Sequence, residues 1–220
     1  MSGFSETTNR RTKYDLVTVM FSDIQGFTRI AEDMNLEDLV DELDKLFFAF
    51  DLAVEKNGIE KIKTIGDAYM CAGGIPKKNK TNPIMTVFTG LELMACMRKL
   101  KEDSEKMKFW DIRIGIHTGS VVAGVVGHNK LSYDIWGDTV NTACHMESAS
   151  EAGKINISGT TYEFVKDFFD CDYRGKMPVK HKGKLDMYFV NNVKPELCDS
   201  NGIPNSKFWE KMKIYIDSAS

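Results

Sequence analysis

Long apolar runs are missing from these 220 residues; the purely apolar pieces are as short as Val121–Val126 around Gly124. A membrane helix needs roughly 20 such positions, and the N-terminus has no signal-peptide core either, so direct membrane insertion is not expected. Cysteine is scarce and scattered: five residues, Cys71, Cys96, Cys144, Cys171 and Cys198, without a CxxC pair. That odd, dispersed set argues against a disulfide framework or a cysteine zinc site and reads as the reduced thiols of a cytoplasmic protein. Positive charge is not in excess, because the formal net charge is −3. Nucleic acid is therefore not an expected partner. Internal repeats and low-complexity segments are absent as well. What is present is an ordinary globular mixture, 42% hydrophobic and 28% charged. Such a chain can bury a core without a disulfide or structural metal.

Met1–Lys13 is polar with no apolar period, and reads as a flexible lead-in or the remnant of a linker to an upstream module. Leu16–Phe21 is a continuous β-prone run, the pattern of a buried central strand. After a turn at Gly26 a long helix is predicted. Its apolar positions are Leu36, Leu39, Val40, Leu43, Leu46, Phe47, Phe50 and Val54, its N-cap Asn35 and its stop Gly58. Ile59–Ile65 and Ala68–Cys71 flank Gly66-Asp67, a two-residue hairpin signal. Asn82-Pro83 announces a second helix. Trp110–His117 alternates as a strand and is expected to turn at Gly119 into Val121–Val126. This order of strand, helix, hairpin, helix, strand is the α+β, ferredoxin-like βαββαβ arrangement, with helices covering one face of an antiparallel sheet. A third helix is expected from Asp138 to Ala149, then short strands at Ile155–Ser158, Phe168–Tyr173 and Met187–Val190. Residues 193–220 read as a tail with a short helix carrying Phe208, Trp209, Met212 and Ile214, packed on the domain or, alternatively, binding a partner.

Two carboxylates stand out by position. Asp23 ends the first strand in FSDIQGFT, and Asp67 sits at the hairpin tip in KTIGDAYM. The first strand and the hairpin are neighbours in a ferredoxin-like sheet, so both can converge at one edge. Paired carboxylates there suit divalent cations whose other ligands are substrate phosphates. Gly26 lets backbone N–H groups approach a triphosphate, and the helix start just after it favours anions. Spacing alone leaves a plainer reading open, with Asp67 as a turn residue and Asp23 as a strand-end cap.

Four blocks together, FSDIQGFT, KTIGDAYM, IRIGIHTGSVVAGVVG and YDIWGDTVNTACHME, resemble the class III adenylyl and guanylyl cyclase catalytic domain in order and spacing, over residues 14–192. The resemblance implies that fold, with additional strands and helices after the ferredoxin-like core. It also implies that Asp23 and Asp67, with the Ile24 carbonyl, bind two divalent cations, Mg²⁺ or Mn²⁺. Gly26, Phe27 and Thr28 would form the phosphate loop, Arg113 would contact phosphate, and Lys180 would reach the triphosphate from the other subunit. For Lys180 and Lys182 a solvated charged turn is the alternative. The base-reading positions are Lys63 and Asp134. A lysine donor and an aspartate acceptor match N1 and the amino group of adenine. Guanine in the same pose presents like groups to both, and each buried unpaired polar group costs about 1–3 kcal/mol. Guanylyl cyclases typically carry Glu and Cys there, so ATP is the expected substrate.

Asn141 and His145 lie four apart on the third predicted helix and share a face. In the family the first orients the ribose, and the second position usually holds an arginine that steadies charge on the α-phosphate. Histidine here is a departure, shared with the half of mammalian cyclases that supplies the metal site. It is shorter and mostly neutral at pH 7, and loss of a transition-state donor costs about 10²–10³-fold in rate. The expectation is an active but slow enzyme, or a His145 that protonates beside the phosphates. Because one subunit gives the metal carboxylates and the other the purine and ribose contacts, a homodimer with two shared sites is expected. Domains of this type commonly sit behind a sensor domain, an upstream partner to expect here too. The rival readings are a non-catalytic, nucleotide-binding regulatory module, favoured only by His145, and a guanylate cyclase.

Overall fold

In the computed structural model, which describes residues 11–108, 110–127, 130–180 and 182–218, the apolar run at Leu16–Phe21 is the middle of a 14-residue strand, β1 (Arg11–Ile24). Its side chains alternate between two cores. Met20 and Ile24 join one cluster, whereas Val17, Val19 and Phe21 join another on the opposite face. Burial on both faces is why the run reads as unbroken rather than alternating. A short helix α1 (Phe27–Asp33) follows, and then α2 (Leu36–Lys56). Asn35 caps α2 as expected, accepting a 2.8 Å hydrogen bond from the Glu37 N–H. Leu39, Leu46, Phe50 and Val54 are buried, but Leu36 and Val40, read as part of the same apolar face, are exposed.

The hairpin β2 (Glu60–Ile65) and β3 (Ala68–Gly73) turns through Gly66 at φ 61°, a conformation glycine adopts at no steric cost. Next come α3 (Asn82–Asp103), β4 (Ile112–Val126), β5 (Ser132–Trp136), α4 (Asp138–Ser148), β6 (Ile155–Ser158), α5 (Gly159–Val165), β7 (Phe169–Val179), β8 (Gly183–Val193) and α6 (Ser206–Ser218). The sheet order is β2-β3-β1-β4-β6-β8-β7, with β5 paired to β4. Its first four strands are antiparallel and reproduce the ferredoxin-like order. β6 adds parallel to β4, and β8 and β7 continue antiparallel. This is the expected α+β architecture with C-terminal additions.

Three expectations need correction. Residues 11–13 of the anticipated lead-in are strand, since Arg11, Thr12 and Lys13 pair with Gly124, Ala123 and Val122 of β4; residues 1–10 lie outside the described residues. The chain does not turn at Gly119, because β4 runs straight through it. Glycine is needed there for close approach: a Cβ on Gly119 would lie 2.5 Å from Thr139 Oγ1, and one on Gly115 1.8 Å from the Glu147 backbone nitrogen. Helix α4 therefore lies directly on the β4 backbone. That puts it on the face opposite α2 and α3, so the helices do not all cover one face. The tail packs on the domain, with Phe208 fully buried against Phe88, Phe168 and Phe169. Trp209 and Ile214 remain exposed.

Candidate active site

Asp23 lies near the end of β1, opposite Arg113 of β4. Asp67 follows Gly66 at the tip of the neighbouring β2–β3 hairpin, and the two carboxyls meet. Burial, and then the charge of Asp23 and a side-chain hydrogen bond to it, hold the Asp67 carboxyl above the usual carboxylate range. The backbone N–H groups of Asp67 and Ile24 act in the other direction. Two acids crowded at one sheet edge favour sharing a proton or a cation. Arg113 completes this end: its Nη2 donates to Asp23 Oδ2 at 3.0 Å. Its Nε lies 2.5 Å from Glu147 Oε1, an ion pair by distance although neither atom is aligned for a hydrogen bond.

Just beyond β1, Gly26 adopts a left-handed φ of 73° and caps α1, whose first residues are Phe27 and Thr28. No side chain caps this helix start, which leaves backbone N–H groups facing outward.

The second cluster joins Lys63 and Asp134. Two strands, β3 and β1, separate β2 from β4 in the sheet order, yet β5, paired to β4, contacts β2. A register shift between Lys61 and Lys63 sends two lysines of one strand to different partners. Lys61 binds Asp51 of α2 at 2.7 Å, and Lys63 binds Asp134 of β5 at 2.5 Å. Donor and acceptor thus stand side by side.

Asn141 and His145 share the outer side of α4, exposed and half-buried respectively. Their side chains, and that of exposed Lys180 in the β7–β8 turn, form no hydrogen bond or ion pair among the described residues. The chain therefore brings Asp23, Asp67 and Arg113 together and pairs Lys63 with Asp134, but it does not tie Asn141, His145 or Lys180 to either group. Lys182 is not a freely solvated turn residue, since it forms an ion pair with Asp138 at the start of α4.

The family model for the adenylate and guanylate cyclase catalytic domain matches residues 10–192. The chain belongs to this family. It is 39% identical over 178 residues to an adenylate cyclase of Mycobacterium tuberculosis, covering 81% of this chain and 40% of that protein. It is 40% identical over 181 residues to a receptor-type guanylate cyclase of Caenorhabditis elegans, covering 80% of this chain and 17% of the other. The solved adenylyl cyclase CyaB from P. aeruginosa superposes with a TM-score of 0.80 at 32% identity, over 86% of this chain and 99% of that one. The chain thus spans well under half the length of these two curated relatives.

As a cyclase catalytic domain, the chain has a donor set that fits divalent cations completed by substrate. Among the described residues no group of three or more His, Cys, Asp or Glu side chains could hold a metal ion alone. Two adjacent carboxylates beside a backbone turn leave the remaining ligands to phosphate oxygens and water, the arrangement Mg²⁺ and Mn²⁺ take with nucleotides. Among the described residues no helix is long and apolar enough to cross a membrane.

Glu147 was not anticipated as part of this site. It is 7% exposed, and burial lifts its carboxyl above the usual range against the opposing charge of Arg113. A signal was available: Glu147 falls four after Ala143 and next to Met146, on the apolar side of α4, where a carboxylate needs a partner.

Proposed function

We propose that this domain is an adenylate cyclase, converting ATP to 3′,5′-cyclic AMP and pyrophosphate at two sites shared across a homodimer. The observation that carries the choice of substrate is the Lys63–Asp134 pair. Its ammonium and carboxylate stand side by side, as N1 and the amino group do on the adenine edge. Each is already partnered by the other. Adenine entering between them exchanges one donor–acceptor pair for two and leaves neither unsatisfied, whereas guanine in that pose opposes like groups.

Divalent cations at Asp23, Asp67 and the Ile24 carbonyl would neutralise phosphate charge and lower the pKa of the ribose 3′-hydroxyl. The chain's own groups do the positioning. Arg113 and the backbone around Gly26, Phe27 and Thr28 orient the phosphates, while Lys63 and Asp134 fix the base. Asn141 and Lys180, arriving from a second copy, hold the ribose and the triphosphate. The 3′-oxygen then forms a bond to the α-phosphorus as the bond to pyrophosphate breaks. The hydroxyl proton leaves to a carboxylate or to water. Holding the reacting atoms in line supplies much of the rate, and His145 stands where charge develops on the α-phosphate.

A second copy enters this reading because, among the described residues, no hydrogen bond or ion pair ties Asn141, His145 or Lys180 to the carboxylates of their own chain. Exposed Ile65, Val126, Leu131 and Trp136 on and beside β2, β4 and β5 offer an apolar surface for it. Incubation with ATP or GTP and Mn²⁺, followed by separation of cyclic product and pyrophosphate, tests the reading. Cyclic AMP from ATP is expected. Predominant cyclic GMP supports the guanylate alternative that the C. elegans relative keeps open, and nucleotide binding without product supports a regulatory module.

A further inference from the structure

We propose that Glu147 is a positioning residue for the cation site: it supplies Arg113 with a second anionic partner, so that Asp23 can exchange the guanidinium for a metal ion. The inference rests on the assignment of Asp23 and Asp67 as cation ligands. The geometry behind it is a chain of contacts through one arginine. Arg113 Nη2 donates to Asp23 Oδ2 at 3.0 Å, and Arg113 Nε faces Glu147 Oε1 at 2.5 Å. Glu147 cannot drift away from this arrangement. Its backbone nitrogen lies where a Cβ on Gly115 would be, 1.8 Å from that position, and Ser148 Oγ donates to its other oxygen at 3.2 Å.

A guanidinium bound to a metal-ligating carboxylate competes with the metal. If Asp23 were its only anion, a cation would have to displace Arg113 and then sit beside an uncompensated positive charge. Glu147 removes both obstacles. It keeps Arg113 neutralised from behind while Asp23 turns to the cation, and it holds the guanidinium in place with N–H groups free for phosphate. Glu147 also belongs to α4, two residues beyond His145. The same ion pair therefore ties the metal end of β4 to the helix that carries Asn141 and His145.

The test is Mn²⁺ binding to the full chain without nucleotide, read by the electron paramagnetic resonance signal of free Mn²⁺, alongside thermal unfolding of the cation-free protein. Glu147→Gln keeps shape and a hydrogen-bond acceptor but removes the charge. It should weaken Mn²⁺ binding about 5-fold, a coupling of the size expected for residues in one ion-pair network. In an Arg113→Met background the same change should leave Mn²⁺ affinity unmoved, because no guanidinium remains to be held. Unchanged affinity in the single variant overturns the proposal. An equal loss in both backgrounds also overturns it, since a structural or through-space effect does not need Arg113. Parent protein that fails to bind Mn²⁺, or binds it equally well as Asp23→Asn, removes the cation assignment itself, and this inference with it.

Discussion

The two ends of α4 border regions built in opposite ways. At one, Asp67, Asp23, Arg113 and Glu147 form a continuous line of charges, each engaged with the next inside a single chain. On the outer surface of the same helix Asn141 and His145 have no side-chain hydrogen bond or ion pair among the described residues, nor has Lys180, while Lys182 is paired with Asp138. Polar groups assembled at a buried edge hold one another in place before any ligand arrives. Polar groups left unpaired on a rigid helix are instead presented to something outside the chain. In the proposed dimer the first region is a finished half-site and the second the complement of another copy's half-site.

The largest expected effect breaks the first region. Asp23→Asn or Asp67→Asn should lower cyclase activity about 10³-fold or more, the scale for losing a principal electrostatic contributor. Asn141→Ala should be strongly impaired as well. Mixing Asp23→Asn chains with Asn141→Ala chains separates the two regions. A mixed dimer retains one intact site, so random pairing should restore about one quarter of the parent activity per chain. Activity that stays absent on mixing would mean both regions serve a site within one chain.

Next in size is the base-reading pair, which lies outside both regions and tests whether substrate choice is independent of them. Lys63→Glu with Asp134→Cys should move the ATP-to-GTP preference by about 10²-fold, since two mismatched buried polar groups become matched to guanine. Retained ATP preference in the double variant would place base discrimination elsewhere.

Much of this was readable beforehand, for physical reasons that differ by element. β1 was legible because burial on both faces leaves an uninterrupted apolar run, and α2 because Asn35 must satisfy an orphan N–H. Asp67 was legible because Gly66 marks the turn that carries it. β5 was not, since only Ile135 among its five residues is buried and nothing local distinguishes it from a loop. Gly119 was misread because glycine signals both a turn and a close approach, and only the position of Thr139 on a distant helix decides between them. The role of Glu147 depends on Arg113, 34 positions earlier in the chain; its place on the apolar side of α4 calls for a partner, but no local pattern says which one.

Within the exposed region, His145→Arg asks whether the departure from the usual arginine limits turnover. An increase of about 10-fold to 10²-fold is expected, measured as kcat at saturating ATP. An unchanged kcat with the fold retained would show that another step sets the rate.

The smallest effect returns to the finished half-site and concerns its state without cations. Asp67 holds its proton to higher pH in the folded chain than it would when unfolded, because burial and the Asp23 charge oppose ionisation. Below the ordinary carboxylate range both states are protonated and the group is neutral to stability. As pH rises through that range and then through the raised folded value, the unfolded chain gives up its proton first, so stability falls and then levels off. Solvent reaches Asp67, which keeps the cost small. Asp67→Asn should therefore raise the melting temperature of the cation-free protein by about 1–2 °C at pH 7, and the gain should vanish near pH 3. With Mn²⁺ present the sign should reverse, because only the parent retains both carboxylates for the ion. A variant that is less stable than the parent at pH 7 without cations would show that the two acids are not in conflict there, and the contrast between a strained, ligand-ready edge and an idle outer helix face would lose its first term.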